Sequence, residues 1–297
     1  MHSGILLLDK PIGLSSNAAL QRVRRTLGVD KAGHVGSLDP LATGMLPICL
    51  GEATKIAGDV LSGRKCYRFT VALGARTATG DTEGAVVETA PVPTLESPTL
   101  EAVRQRFLGH QVQVPPMYSA LKRDGQPLYK LARQGVEIER EARDIELFEL
   151  ALLGFGPTHV ELQTVCSKGT YIRVLAEDIA KALGTCGHVT ALRRVYVEPF
   201  DAQPMETLES IAEALEQGRW PSVLPADWPL SHLPKVSLRG AAVSRLMHGQ
   251  AVPSGAAAAE IGSEPRVRLY DEAGRFLGIG AGDGRGNVQP RRLFVFG

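Results

Sequence analysis

Long apolar runs are missing from the start of this sequence. The one early run, Ile5 to Leu8, is cut off by Asp9, Lys10 and Pro11. It is too short for a secretory h-region or a membrane span, so a soluble, cytoplasmic protein with no membrane partner is expected. Cysteine is sparse as well: Cys49, Cys66, Cys166 and Cys186 are the only four in 297 residues. None forms C-x-x-C or sits with histidine at metal-ligand spacing. That argues against a zinc site and a disulfide framework and leaves buried thiols as the expectation. The common catalytic and cofactor signatures are absent too. There is no G-x-x-x-x-G-K-[ST], no H-E-x-x-H and no G-x-S-x-G. The glycines from Gly278 to Gly286 do not fit G-x-G-x-x-G, and basic residues rather than a helix follow them. No metal and no cofactor are expected.

A strong excess of positive charge is also lacking, since the net charge is only +1. The distribution matters more than the sum. Between Glu198 and Gly218 lie six acids and no Lys or Arg, so the net +1 combines −6 there with +7 on the rest of the chain. Small basic groups then stand out: Arg22, Arg24 and Arg25; Lys122 and Arg123; Arg193 and Arg194; Arg291 and Arg292. Each alone reads as a solvated face; together they permit polyanion binding.

Along the chain, Ile5 to Leu8 reads as a buried strand. Ser15, Ser16 and Asn17 then offer an N-cap to a helix carrying Leu20, Val23 and Leu27, with Gly28 as its stop. Lys31 to Gly51, rich in glycine and holding Pro40 and Pro47, reads as a structured loop. From Lys65 to Leu73 a strand is expected, with Tyr67, Phe69, Val71 and Leu73 on one face. Ser97-Pro98 opens a helix that runs to Gly109. Pro115 to Arg143, with three prolines and six Lys or Arg, reads as an excursion from the core. Val160 to Cys166 is a strand, and Lys168-Gly169-Thr170 turns it into a helix ending at Gly184. Arg173 then falls in the first helical turn, where the helix dipole favours anions. A functional carboxylate or phosphate nearby would remove that conflict, and so would a structural ion pair. Six prolines between Pro199 and Pro234 mark a domain boundary. Beyond it, short strands at Val267 to Tyr270, Phe276 to Ile279 and Leu293 to Phe296 suggest a small β-barrel-like module. Gly255 and Ala256 to Ala259 look like a loop insertion.

One segment concentrates chemistry: Gly33-His34-Val35-Gly36-Ser37-Leu38-Asp39-Pro40-Leu41-Ala42-Thr43-Gly44. A lone carboxylate is followed by a rigidifying proline and flanked by glycines that let a ligand or another backbone approach. Such an aspartate either caps a turn or reacts. An ordinary aspartate, with pKa ~3.9, is already ionised at neutral pH and needs no base to act as a nucleophile.

This segment resembles the signature of pseudouridine synthases of the TruB family, and other boxes recur in family order over roughly residues 4 to 200. These are Leu7-Leu8-Asp9-Lys10-Pro11 with Gly13 and Ser15-Ser16, Met45 to Lys55, Lys65-Cys66-Tyr67-Arg68, Pro116 to Lys122, and Lys168 to Arg173. The C-terminal part is similar to a PUA RNA-binding domain through Gly278 to Gly280 and Pro290 to Leu293. Cys66 stands where a larger polar residue is usual.

The resemblance implies an α+β chain. A mixed, mainly antiparallel sheet flanked by helices and loops would form a catalytic domain over residues 1–230, with 115–143 as an RNA-gripping insertion. Residues 231–297 would form the PUA-like domain. The activity implied is isomerisation of uridine to pseudouridine in the T stem-loop of tRNA, conventionally at position 55, by a monomer. Asp39 would be the nucleophile. Tyr67 would stack on the base and help at C5; without the family it reads as a core tyrosine. Arg173 would align the Asp39 carboxylate. Tyr171 and Leu192 would line the uracil pocket, and His34 would wedge into the space the base leaves. Lys10 and Pro11 would brace the floor, and Asp81 would contact RNA or order a loop. Lys122, Arg123, Lys130 and Arg133 would grip the RNA.

The chemistry fits these roles. The target base must be flipped out at a cost of a few kcal/mol, detached from N1, turned in a dry pocket and rejoined through C5. Attack at C1′ and addition at C6 both stay open. A non-catalytic tRNA-binding chaperone is the alternative. A glycoside hydrolase would need two facing acids, whereas here one acid is paired with an arginine.

Overall fold

The computed structural model describes residues 3–123, 125–254 and 266–295. Its centre is an eight-stranded sheet. In spatial order the strands are Gly4–Lys10, Thr43–Leu50, Gly187–Val197, Lys65–Leu73, His159–Cys166, Arg143–Gly156 and Gly109–Gln113, with the short Ala32–His34 paired to Thr43–Leu50. Only the pairing of Thr43–Leu50 with Gly187–Val197 is parallel, so this sheet is mixed and mainly antiparallel, as the sequence implied.

The apolar run near the start is a strand buried on both faces, which is why it does not alternate with polar residues. Leu6 and Leu8 enter one core; Ile5 and Leu7 enter another. The first core takes Phe69 and Val71 from the sheet, Leu20 and Val23 from the helix Ser16–Leu27, and Leu175 and Ile179 from the helix Ile172–Ala182. The former helix begins and ends as its sequence dictates. Ser15 caps it by accepting from the Ala18 N–H, and Gly28 closes it at φ 62°.

The glycine-rich stretch expected as a loop is partly regular. Thr43–Leu50 is an eight-residue strand that tolerates Pro47 inside it. Glycine and proline density hid a strand whose register is set by pairing with Gly4–Lys10, from Leu7 opposite Pro47 to Lys10 opposite Gly44. Among its described residues, the excursion at 115–143 holds two paired two-residue strands, Lys122–Arg123 and Gln126–Pro127, and the short helix Leu128–Arg133, before the strand that starts at Arg143.

Near the C-terminus, a five-stranded sheet runs in the order Lys235–Ser237, Val267–Tyr270, Phe276–Gly282, Asn287–Leu293, Val252–Pro253. The third strand expected from the sequence, Leu293 to Phe296, is corrected to Asn287–Leu293. It passes through Pro290, opposite Gly280, beside a register shift that accommodates the missing N–H. Phe296, Gly255 and the alanine run at 256–259 lie outside the described residues.

This sheet does not stand apart. Tyr270, Phe276, Ile279 and Phe294 share the second core with Ile5, Met45, Ile56 and Phe200. Lys55 Nζ donates to the Leu293 carbonyl at 2.7 Å, and Arg266 pairs with Asp59 at 2.6 Å.

Candidate active site

The segment Val35 to Ala42 crosses the mouth of the sheet between the strands Ala32–His34 and Thr43–Leu50, and it carries Asp39. Its conformation is held residue by residue. Ser16 Oγ accepts from the Leu38 N–H at 2.7 Å and donates to the Leu38 carbonyl at 3.0 Å. The Pro40 carbonyl accepts from the Gly13 N–H at 2.8 Å. The Ala42 N–H donates to the Asp39 carbonyl at 3.0 Å. Leu38 and Ala42 are buried in the first core, so Asp39 is presented by a loop anchored on both sides.

Asp39 opens into a cavity of about 380 Å³ lined by Leu38, Tyr67, Tyr171, Ile172, Arg173 and Leu192, among others. All five pocket residues singled out in the sequence (Asp39, Tyr67, Tyr171, Arg173 and Leu192) meet there, although 153 positions separate the first from the last. They arrive on four elements, with Tyr171 and Arg173 sharing the start of one helix. Tyr67 comes from the strand Lys65–Leu73, Leu192 from Gly187–Val197, and Arg173 from the first turn of Ile172–Ala182.

The Asp39 carboxylate meets Arg173 side-on, with Nε 2.9 Å from Oδ2 and Nη2 3.4 Å from Oδ1. Arg173 cannot follow a wandering partner: Nη1 donates to the Thr79 carbonyl at 2.6 Å and Nη2 to the Tyr118 carbonyl at 2.7 Å. The cation placed at a helix N-terminus is thus balanced by a carboxylate and two carbonyls, which resolves the conflict visible in the sequence. Loss of water raises the Asp39 pKa above the usual carboxylate value, and Arg173 opposes that rise. The Tyr67 and Tyr171 phenols are also pushed up by burial.

Three other predicted residues, Lys10, Asp81 and His34, do not line the cavity. Lys10 is fully buried and cannot reach a ligand; its ammonium donates to the carbonyls of Leu14 (2.6 Å), Pro11 (3.0 Å) and Pro40 (3.5 Å). It is a brace under the loop, and burial lowers its pKa to about 8. Asp81 is 2% exposed and orders its own turn, accepting from Thr79 Oγ1 at 2.5 Å and from the Glu83 N–H at 3.0 Å. Its Oδ2 lies 3.8 Å from Arg173 Nε, so it also faces the cation that holds Asp39, and of the two expected roles the structure describes the ordering of a loop. His34 is half-buried on the strand Ala32–His34 and does not line the cavity.

Lys122, Arg123, Lys130 and Arg133 are exposed on the excursion, free of any ion pair among the described residues. The Arg193–Arg194 group is not a surface patch. Arg193 makes two hydrogen bonds to Asp9, at 2.9 and 2.7 Å, and Arg194 is 1% exposed.

Sequence reasoning misses three contributors. Ser16 reads there only as part of a helix cap. Lys65, 5% exposed, lines the cavity and donates to the carbonyls of Leu61 and Gly63 at 2.6 and 2.5 Å. Arg194 also lines it. Period-two alternation from Leu192 would have put Arg194 on the inward face. Cys66, the departure from the family pattern, is 1% exposed, which suits a thiol better than a larger polar group. All four cysteines are buried and free. Among the described residues, no three His, Cys, Asp or Glu side chains gather as a metal-holding group, and no helix is long and apolar enough to cross a membrane.

Comparison with known proteins covers nearly the whole chain. A family model described as "TruB family pseudouridylate synthase (N terminal domain)" matches residues 24–172. "tRNA pseudouridylate synthase B C-terminal domain" matches 173–229, and "Pseudouridine synthase II TruB, C-terminal" matches 234–294. The sequence is 49% identical to the tRNA pseudouridine synthase B of Burkholderia lata, over 98% of this chain and 90% of that one. It is 47% identical to that of Chromohalobacter salexigens, over 98% and 94%. Among solved structures, a chain of a Cbf5-Nop10-Gar1 complex superposes with TM-score 0.72 at 24% identity, covering 98% of this chain and 85% of that one. An archaeal box H/ACA sRNP Nop10-Cbf5 complex gives 0.71 at 23%, covering 98% and 86%. At those identities the likeness speaks to fold, and it spans both sheets.

Proposed function

The chain belongs to the TruB family of pseudouridylate synthases, and from that premise we propose that it isomerises a uridine of the tRNA T stem-loop, conventionally position 55, with Asp39 as nucleophile. The observation that carries the reading is the Asp39–Arg173 pair at the wall of a cavity with Tyr67, Tyr171 and Leu192. Residues 1–230 act as the catalytic domain and 231–297 as a PUA-like RNA-binding domain.

The residues divide the work. A uridine stacked inside an RNA loop hides its reacting atoms, so it enters the cavity flipped. Arg173 holds the carboxylate oxygens in one plane and keeps them ionised against desolvation. Asp39 then bonds to C1′ or to C6, and the C1′–N1 bond breaks with its electron pair on the uracil. The apolar walls, Leu38, Ile172 and Leu192, offer no fixed hydrogen bonds, so the ring turns freely and water is kept from C1′. C5 bonds to C1′, Asp39 leaves, and beside Tyr67 the proton on C5 is lost while N1 gains one, so the product is the isomer.

The exposed Lys122, Arg123, Lys130 and Arg133 support phosphate contact outside the cavity. A tRNA chaperone without chemistry would need no two-pronged ion pair at a cavity wall, so the enzyme reading is favoured. Incubation with unmodified tRNA followed by mapping of pseudouridine tests substrate and position together. Conversion at one T-loop uridine is expected; conversion elsewhere, or none, refutes the assignment.

A further inference from the structure

Arg194 is the largest fully buried side chain among the described residues, and the proposed reaction does not use it. Its strand neighbours are informative. Across the ladder it faces Tyr67 on one side and Gly44 on the other. Its Nε donates to the Met45 carbonyl at 2.7 Å, and its Nη2 donates to the Gly36 carbonyl at 2.8 Å. The same guanidinium adjoins the Tyr67 hydroxyl. One side chain therefore touches both ends of the segment that carries Asp39, and also the tyrosine facing it.

Two glycines record how closely this arginine is fitted. A Cβ at Gly36, where φ is 69°, would come within 3.1 Å of Arg194 Nη1. A Cβ at Gly44, where φ is 97°, would come within 2.1 Å of the Arg194 carbonyl oxygen. Gly36 thus leaves room for the Arg194 guanidinium, and Gly44 lets the Arg194 backbone approach the other end of the segment.

Stability alone does not account for a cation here. No Asp or Glu lies within ion-pair distance of Arg194 among the described residues. Its electrostatic neighbours include Lys10, Lys65 and His34, which are cationic or can become so. Burying an unpaired charge among like charges is unfavourable, and an apolar side chain would fill the same space at lower cost. What an apolar residue cannot supply is a rigid fork of donors reaching two carbonyls on opposite flanks of one loop.

We propose that Arg194 is a positioning residue for uridine isomerisation, clamping Gly36 and Met45 so that Asp39 and Tyr67 keep a fixed separation across the cavity. It acts through these two residues rather than on the substrate, and the inference rests on the isomerase reading above.

The test measures single-turnover conversion of unmodified tRNA, tRNA affinity by filter binding, and folding by circular dichroism. It uses the parent protein, Arg194→Lys and Arg194→Ala. Arg194→Lys keeps the charge but has no fork, so the chemical step should slow by about a hundredfold while affinity for tRNA is unchanged. Free guanidinium should restore part of the rate to Arg194→Ala. A Lys variant that converts tRNA like the parent overturns the proposal. So does a loss of rate that follows loss of folded protein and that guanidinium does not relieve. Should Arg194→Ala fail to fold, the rate-to-affinity split in Arg194→Lys decides alone. A parent protein that forms no pseudouridine would refute the isomerase reading instead.

Discussion

Arg173 approaches Asp39 side-on, and two backbone carbonyls, those of Thr79 and Tyr118, hold the guanidinium in that attitude. The aspartate is therefore oriented by a partner that is itself fixed. Desolvation raises the carboxylate pKa and Arg173 restrains the rise. The sign of the pH response follows. A nucleophile must be ionised, so activity is present above the Asp39 pKa and lost as pH falls through it. The acid limb of the single-turnover rate should lie above the range of an ordinary aspartate. In Arg173→Met it should move to still higher pH, and the plateau should fall. An acid limb that stays put in that variant would show that the pair does not govern Asp39.

Asp39→Asn keeps the shape of the side chain and removes its charge. Conversion of uridine should cease, while tRNA affinity should stay near the parent's, because phosphate contacts elsewhere supply most of it. Turnover surviving in this variant would rule out Asp39 as nucleophile.

Ser16 supplies both hydrogen bonds of the Leu38 peptide groups next to Asp39. Ser16→Ala leaves a buried donor and acceptor without that partner, at a cost of about 1–3 kcal/mol in chemical denaturation. Turnover should fall more than tRNA affinity, since the loop carrying Asp39 loses its anchor. Unchanged stability would show that the serine bonds are replaced by other groups.

Lys10 offers a prediction in stability rather than rate. Its folded pKa is about 8 against an ordinary 10.5. The folded state thus gives up this proton more readily than the unfolded chain. Between pH 8 and 10.5 the unfolded chain binds more protons, so this group's contribution to stability rises with pH there, by up to about 1.4 kcal/mol per pH unit. Below pH 8 its buried charge is a full, constant penalty. The stability of the parent relative to Lys10→Met should climb across that window and be flat below it. A flat difference throughout would place the lysine in an environment as polar as water.

On the excursion, Lys122→Ala combined with Arg123→Ala should weaken tRNA binding. It should also shrink the log–log salt slope by about 1.4–1.8, at roughly 0.7–0.9 for each phosphate no longer neutralised. An unchanged slope would locate the phosphate-binding cations on another surface.

How far the sequence can be read varies with the kind of signal. Lys65–Leu73 is legible in full because alternation of Tyr67, Phe69, Val71 and Leu73 is a local property. Thr43–Leu50 is not, because its glycines and Pro47 read as loop, and only pairing with Gly4–Lys10 makes it a strand. Asp39, Tyr67, Tyr171, Arg173 and Leu192 are found through the family resemblance, and the fold brings them to one cavity. Lys10 and Asp81 are found too, but how deeply each is buried is hidden, since nothing in a sequence says which side of a loop a charge faces. Ser16, Lys65 and Arg194 escape because their partners are backbone atoms that no sequence motif marks: Leu38 for the first, Gly36 and Met45 for the last.

The second core has a consequence for how RNA is measured. Phe276 and Phe294 stand in T-shaped contact at 5.0 Å within a cluster that also takes in Ile5 and Met45. The C-terminal sheet is therefore mortised into the body that carries Asp39 by a common core. If RNA meets both this sheet and the cavity, as the proposed function has it, the span between the two contacts is set by this shared core, and an RNA of another span would itself have to deform.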